Sequence, residues 1–208
     1  MHLPTCTQLA LVLLSYTACT LGHFVGARGG HRGGNDILNK EATKEAHPRD
    51  DTATRAFSDT SIRSKSGKCL SVDPRSGDFR ANLTPVQLKD CNTSSRRQQW
   101  DIITSGQHID QPGFVLLVST LTQACFNADP RRDPGSQINL FSCGGRADGG
   151  GEVTSSQLFA SDGPLDNMRF SPQNGPGFCL TANGDVVDIA RCDAQDDNQR
   201  FVINGGSP

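Results

Sequence analysis

The chain lacks the features on which several functional classes depend. Its 20 Lys and Arg stand against 22 Asp and Glu, a net charge of −2. That leaves no basic field to hold nucleic acid or an anionic membrane. Long apolar runs are missing too: Leu9–Leu14 (LALVLL) falls far short of the ~20 residues a spanning helix needs, so no membrane insertion is expected. Histidine is scarce, at positions 2, 23, 31, 47 and 108. Four of the five precede the part of the chain that reads as a folded domain, which excludes a Ser-His-Asp arrangement inside it. Asp185, Asp188, Asp193, Asp196 and Asp197 read as solvated surface and offer no opposed pair of the kind a glycosidase uses. The expectation is a protein without catalytic activity, cofactor or metal.

What is present is punctuation. The 22 Gly and 11 Pro suit many short strands and turns better than long helices. Residues 1–22 read as an export signal, with small residues after the apolar core. Residues 23–56 (HFVGARGGHRGG…TRA) carry few large apolar side chains and read as a disordered linker or propeptide. From Phe57 to Asn204 short apolar runs alternate with turn residues, and 205–208 form a tail. Of eight cysteines, six remain after the signal: Cys69, Cys91, Cys125, Cys143, Cys179 and Cys192. None lies in a CxxC or CxH pair, so zinc is not indicated. An even number in an exported, extracellular chain implies disulfides.

Residues 57–204 repeat three times, over about 57–105, 106–163 and 164–204. The first landmark is a Cys in a short strand pattern: Lys68-Cys69-Leu70-Ser71-Val72-Asp73, Ala124-Cys125-Phe126-Asn127-Ala128-Asp129 and Phe178-Cys179-Leu180-Thr181-Ala182-Asn183. The second is an alternating strand that ends in Cys: Val86 to Cys91, Ile138 to Cys143 and Val187 to Cys192. The third is Gln-x-aromatic: Gln98-Gln99-Trp100, Gln157-Leu158-Phe159 and Gln199-Arg200-Phe201. No repeat buries its apolar face alone, so three should close a small barrel on a shared aromatic core. Each Gln amide should pair with backbone where its repeat turns. The repeat also selects one pairing of six cysteines: Cys69–Cys91, Cys125–Cys143 and Cys179–Cys192. Loops of this size each contribute about 3 kcal/mol by chain entropy.

This ordered pattern resembles the ricin B-type lectin domain, in texture its secreted fungal members. The resemblance implies an all-β β-trefoil with pseudo-threefold symmetry and one disulfide per repeat. It also implies a shallow sugar pocket in each repeat that takes galactose-type or other hexoses as partner glycans. In that family an Asp two residues after the first Cys accepts from sugar hydroxyls, and an aromatic two residues before the second Cys stacks on the ring. A polar residue two positions earlier and an Asn-Gln pair complete the contacts. Here the first repeat has Ser71, Lys89 and Arg97 in those places, and the third has Thr181 and Ala190 with Asn198-Gln199 intact. The second keeps Asn127, Asn139, Phe141 and Ser156-Gln157 and is the best candidate pocket. Because the pockets are eroded, a protein-interaction trefoil (protease inhibitor or effector) acting through Pro130–Pro134 is the alternative. Asn82-Leu83-Thr84 and Asn92-Thr93-Ser94 are N-glycosylation acceptors. The Gly-rich stretch 144–152 reads as a flexible surface loop beside Phe141.

Overall fold

In the sequence repeats, the two cysteine landmarks sit on or beside a pair of strands, and each Gln-x-aromatic introduces a third. The computed structural model describes residues 38–204 and shows four strands per repeat. The first repeat has β1 (Thr54–Ser64), β2 (Cys69–Val72), β3 (Thr84–Lys89) and β4 (Trp100–Ser105). The second has β5 (Phe114–Ser119), β6 (Cys125–Ala128), β7 (Ile138–Phe141) and β8 (Phe159–Asp162). The third has β9 (Arg169–Pro172), β10 (Phe178–Asn183), β11 (Val186–Arg191) and β12 (Phe201–Asn204).

The first and last strand of each repeat form a closed ring. β1 pairs β4, β4 pairs β5, β5 pairs β8 and β8 pairs β9. A two-way backbone bond between Met168 and Phe201 joins β9 to β12, and β12 returns to β1. Closure leaves the barrel without an edge. The middle strands form three hairpins, β2–β3, β6–β7 and β10–β11, which meet through Thr84↔Leu140 and Val186↔Gln87. A six-stranded barrel capped by a triplet of hairpins is a β-trefoil.

The core is layered by the same symmetry. Trp100, Phe159 and Phe201 are fully buried together, with Ile62, Leu117 and Phe170 and with Leu70, Phe126 and Leu180 around them. Trp100 meets Phe126 edge-on at 5.0 Å between ring centroids. The repeated Gln is a clamp in each case. Gln98 accepts from Asn92 N and donates to Asp90 O, at 2.7 and 2.9 Å. Gln157 spans Gly144 N and Ser142 O, and Gln199 spans Asp193 N and Arg191 O. In all three the amide straddles the second Cys of its repeat. The disulfides are the three expected, Cys69–Cys91, Cys125–Cys143 and Cys179–Cys192.

The folded chain starts earlier than its composition suggested. The signal 1–22, the stretch 23–37 and the tail 205–208 lie outside the described residues, but 38–56 is folded onto the barrel. Helix α1 (Lys40–Ala46) is capped by the Asn39 side chain, which accepts from Ala42 N. His47 Nε2 donates to Arg80 O at 2.8 Å. Asp50 Oδ2 accepts from Gln107 N, and Arg55 Nε donates to the buried Asp101 carboxylate at 2.8 Å. This tether is held by hydrogen bonds and close backbone approach in place of large apolar side chains, which is why a composition argument misses it. The Gly-rich stretch is likewise fixed. At Gly149 a Cβ would collide with the carbonyls that end α1, and at Gly144 with the backbone of Gly151. Both have positive φ, so no other residue fits without strain.

Candidate functional site

The β6–β7 hairpin has an inner and an outer face. Phe126, Ala128, Ile138 and Leu140 point into the core. The alternate residues Cys125, Asn127, Asn139 and Phe141 share the outer face, with Asn127 opposite Asn139 and Cys125 opposite Phe141. The hairpin is fixed at one end by Cys125–Cys143 and by the Gln157 clamp.

A depression of about 270 Å³ opens beside Asn127. Its walls are Asn127, Ala128, Asp129, Pro130 and Arg131, with Ser156 from the strand-to-strand loop and Asn174 from the third repeat. Asn174 Nδ2 donates to Ala128 O at 2.8 Å, while its Oδ1 is buried and has no protein partner. The Asp129 carboxylate accepts from Arg131 Nε and Nη2 at 2.8 and 3.1 Å. That guanidinium holds the Asp129 carboxyl below its ordinary range. A second guanidinium, Arg132, stands 3.8 Å from the same carboxylate. The depression thus gathers two carboxamides, a hydroxyl, one ion-paired carboxylate and guanidinium donors. Such a set hydrogen-bonds to a hydroxyl-rich molecule from several sides.

Of the residues singled out in the sequence, the structure brings Asn127 and Ser156 to this depression. Asn139 lies beside Asn127 but is only 3% exposed, and neither end of its carboxamide has a protein partner. Phe141 shares the face but does not line the depression, which extends from Asn127 towards Asp129, away from Phe141. Stacking on Phe141 is therefore not the contact that this geometry offers. Gln157 and Gln199 are buried, and each spends one acceptor and one donor on its clamp. Asn198 lies in the third repeat, tied to Asp196 through its backbone and side-chain amides at 2.9 and 3.0 Å.

Asp129 and Arg131 stand in stretches quoted above, the first-Cys landmark and the PRRDP loop, but nothing in the repeat marks them as lining. Asn174 has no sequence signal, because it reaches the depression from another repeat. Asp188, which read as surface, is 1% exposed. Its carboxylate accepts from the backbone amides of Gly135 and Gln137, so it braces the Pro130–Pro134 loop from beneath.

The two glycosylation motifs differ sharply. Asn92 is exposed. Asn82 is wholly buried: Nδ2 donates to Ala147 O at 3.0 Å, and Oδ1 accepts from Ser142 N and Oγ at 2.8 and 3.0 Å. A glycan on Asn82 is incompatible with this fold, which corrects the reading of that motif.

Among the described residues no helix is long and apolar enough to cross a membrane. No family model matches the sequence, and no curated protein does. Solved structures do match. One is an endo-β-galactosidase from Clostridium perfringens that releases GlcNAcα1-4Gal (TM-score 0.55, 13% identity, 72% of this chain and 33% of that one). The chain thus spans a third of that enzyme's length. Another is the Polyporus squamosus lectin, bound to Neu5Acα2-6Galβ1-4GlcNAc (0.52, 11%, 70% and 48%). A third is the BEL β-trefoil (0.51, 11%, 77% and 97%). At these identities the likeness establishes the fold, and the chain is a β-trefoil.

Proposed function

We propose that this protein is an exported carbohydrate-binding module without catalytic activity, and that its hexose site is the depression at Asn127. The observation that carries the reading is where Asn127 falls. It occupies the position from which a ricin B-type lectin accepts sugar hydroxyls, and it opens onto a polar hollow that Ser156 and Asn174 complete. The lectin and the galactosidase among the structural neighbours support a saccharide ligand. The single carboxylate there, Asp129, is held by Arg131, whereas glycoside hydrolysis needs a pair. Three disulfides support export, and Asn92 is the acceptor that a glycan could reach.

The test is a glycan array followed by titration of the best sugar. Asn127→Ala and Asn174→Ala should each weaken binding about tenfold, the cost of one or two lost hydrogen bonds. Phe141→Ala should leave it nearly unchanged. A flat array with the disulfides intact would sink the proposal. The second reading, a protein contact, draws on the loop above Asp188, which presents Arg131 and Arg132 to solvent. A flat array together with a partner lost on Arg131→Ala would favour it.

A further inference from the structure

The barrel's outer face carries a second hollow, unrelated to Asn127. On β1, Asp59, Ser61 and Arg63 alternate outward while Thr60, Ile62 and Ser64 are buried. Beside them lie Asn204 of β12 and the turn after Cys91. Two adjoining hollows of about 320 and 200 Å³ share Ser61, Asn92, Thr93, Gln98 and Asn204. The larger continues to Arg63 and the smaller to Asp59.

The threefold symmetry gives this groove two internal controls. Ser61 pairs with Asn204 across the strands, Leu116 with Ile103 in the second repeat, and Arg169 with Asp162 in the third. In the second repeat the position is apolar, and Pro48, Asp50 and Arg55 of the tether lie over it, leaving about 10 Å³. In the third, Arg169 Nη2 meets Asp162 Oδ2 at 2.9 Å. In the first, the same position is polar and open. Arg63 has no acidic partner among the described residues, and its Nε is buried without a hydrogen bond. A buried guanidinium nitrogen left unpaired is costly, and the natural match for its fork is a carboxylate or sulfate. No aromatic ring lines the groove, so it offers a neutral hexose no stacking face.

We propose that this groove is a second ligand site that takes an acidic saccharide, a uronate or a sulfated hexose. The anion sits on Arg63, and the hydroxyls sit on Ser61 and Asn204. The two sites are independent, so either can fail without the other.

The test uses the full chain, made with its disulfides in a host that does not attach N-glycans, and follows the Arg63 Nε–H and backbone amides by NMR. The probes, in the millimolar range, are glucuronic acid, N-acetylglucosamine 6-sulfate, glucose and inorganic sulfate. An acidic sugar should shift Arg63, Ser61 and Asn204, while glucose should not. Arg63→Gln should weaken the acidic sugar about tenfold or more, Arg63→Lys by less, and Asn127→Ala not at all. Should Arg63→Gln fold poorly, the map on the native protein and Arg63→Lys decide. Equal binding of glucose overturns the proposal. So does inorganic sulfate binding as well as the sugars, or acidic-sugar shifts confined to Asn127 and Asn174.

Discussion

Where β1 faces β12, Ser61 stands opposite Asn204, and the equivalent pairs in the other repeats are Leu116–Ile103 and Arg169–Asp162. One residue further along the same strands, the side chains turn inward as Ile62, Leu117 and Phe170, and all three are buried in one cluster. The inner positions share a core whose packed volume is fixed, so they vary only among apolar side chains. Each outer position answers to its own cover: solvent in the first repeat, the tether in the second, an ion pair in the third. The inner face therefore keeps the symmetry, and the outer face is where the repeats acquire separate roles.

The contrast can be broken most severely from inside. Phe201→Ala, at the centre of the aromatic layer, should cost about 3–5 kcal/mol in urea unfolding with disulfides intact. A cost near 1 kcal/mol would mean that the inner layer is looser than its burial implies. The clamps come next. Gln98→Leu, Gln157→Leu and Gln199→Leu each strand two backbone groups, at about 1–3 kcal/mol per group. Similar losses in all three would show that the clamp is a threefold device, and a silent variant would separate its repeat from the others.

The tether should respond to acid. His47 donates from Nε2 to Arg80 O, so its neutral form carries a bare Nδ1, which is buried and unpaired. Burial pushes this imidazole below its ordinary 6.5. As the pH falls, the unfolded chain takes up the proton before the folded one does. The stability linked to neutral His47 is thus complete above pH 6.5 and declines below it, until the folded value is passed. Melting temperatures between about pH 7 and pH 5 should fall in the native protein and fall less in His47→Gln. Equal slopes would show that the imidazole is not excluded from water. The smallest effect belongs to the outer face. Arg169→Ala removes a surface ion pair whose Asp162 carboxylate is exposed, and should cost about 0–1 kcal/mol, shrinking further in salt.

The landmarks visible in the sequence are those whose partners lie within one repeat. Cys179–Cys192 and the Gln199 clamp involve residues of a single repeat, so aligning the chain with itself exposes them. Asn127 and Ser156 were legible for the same reason. Asn174 was not, because it crosses from the third repeat into a second-repeat hollow, and self-alignment carries no information about contacts between repeats. Asp188 looked like a surface aspartate, because nothing in its neighbours shows that a distant loop would lay two backbone amides on it. The tether was invisible because the hydropathy pattern records large apolar side chains. Gly149 under the end of α1, and Asp50 on Gln107 N, leave no such trace.

The burial of Asn82 sets up a race. Its Asn-Leu-Thr motif can be read by a glycosylating enzyme only while the chain is unfolded, and folding hides it for good. A sugar attached in that interval strips Ala147 and Ser142 of their partner. Molecules so marked cannot complete the hairpin and loop packing around it. In a cell that adds N-glycans, a sugar placed on Asn82 before folding should therefore lower the yield of native protein. In a cell that adds none, every molecule is free to finish.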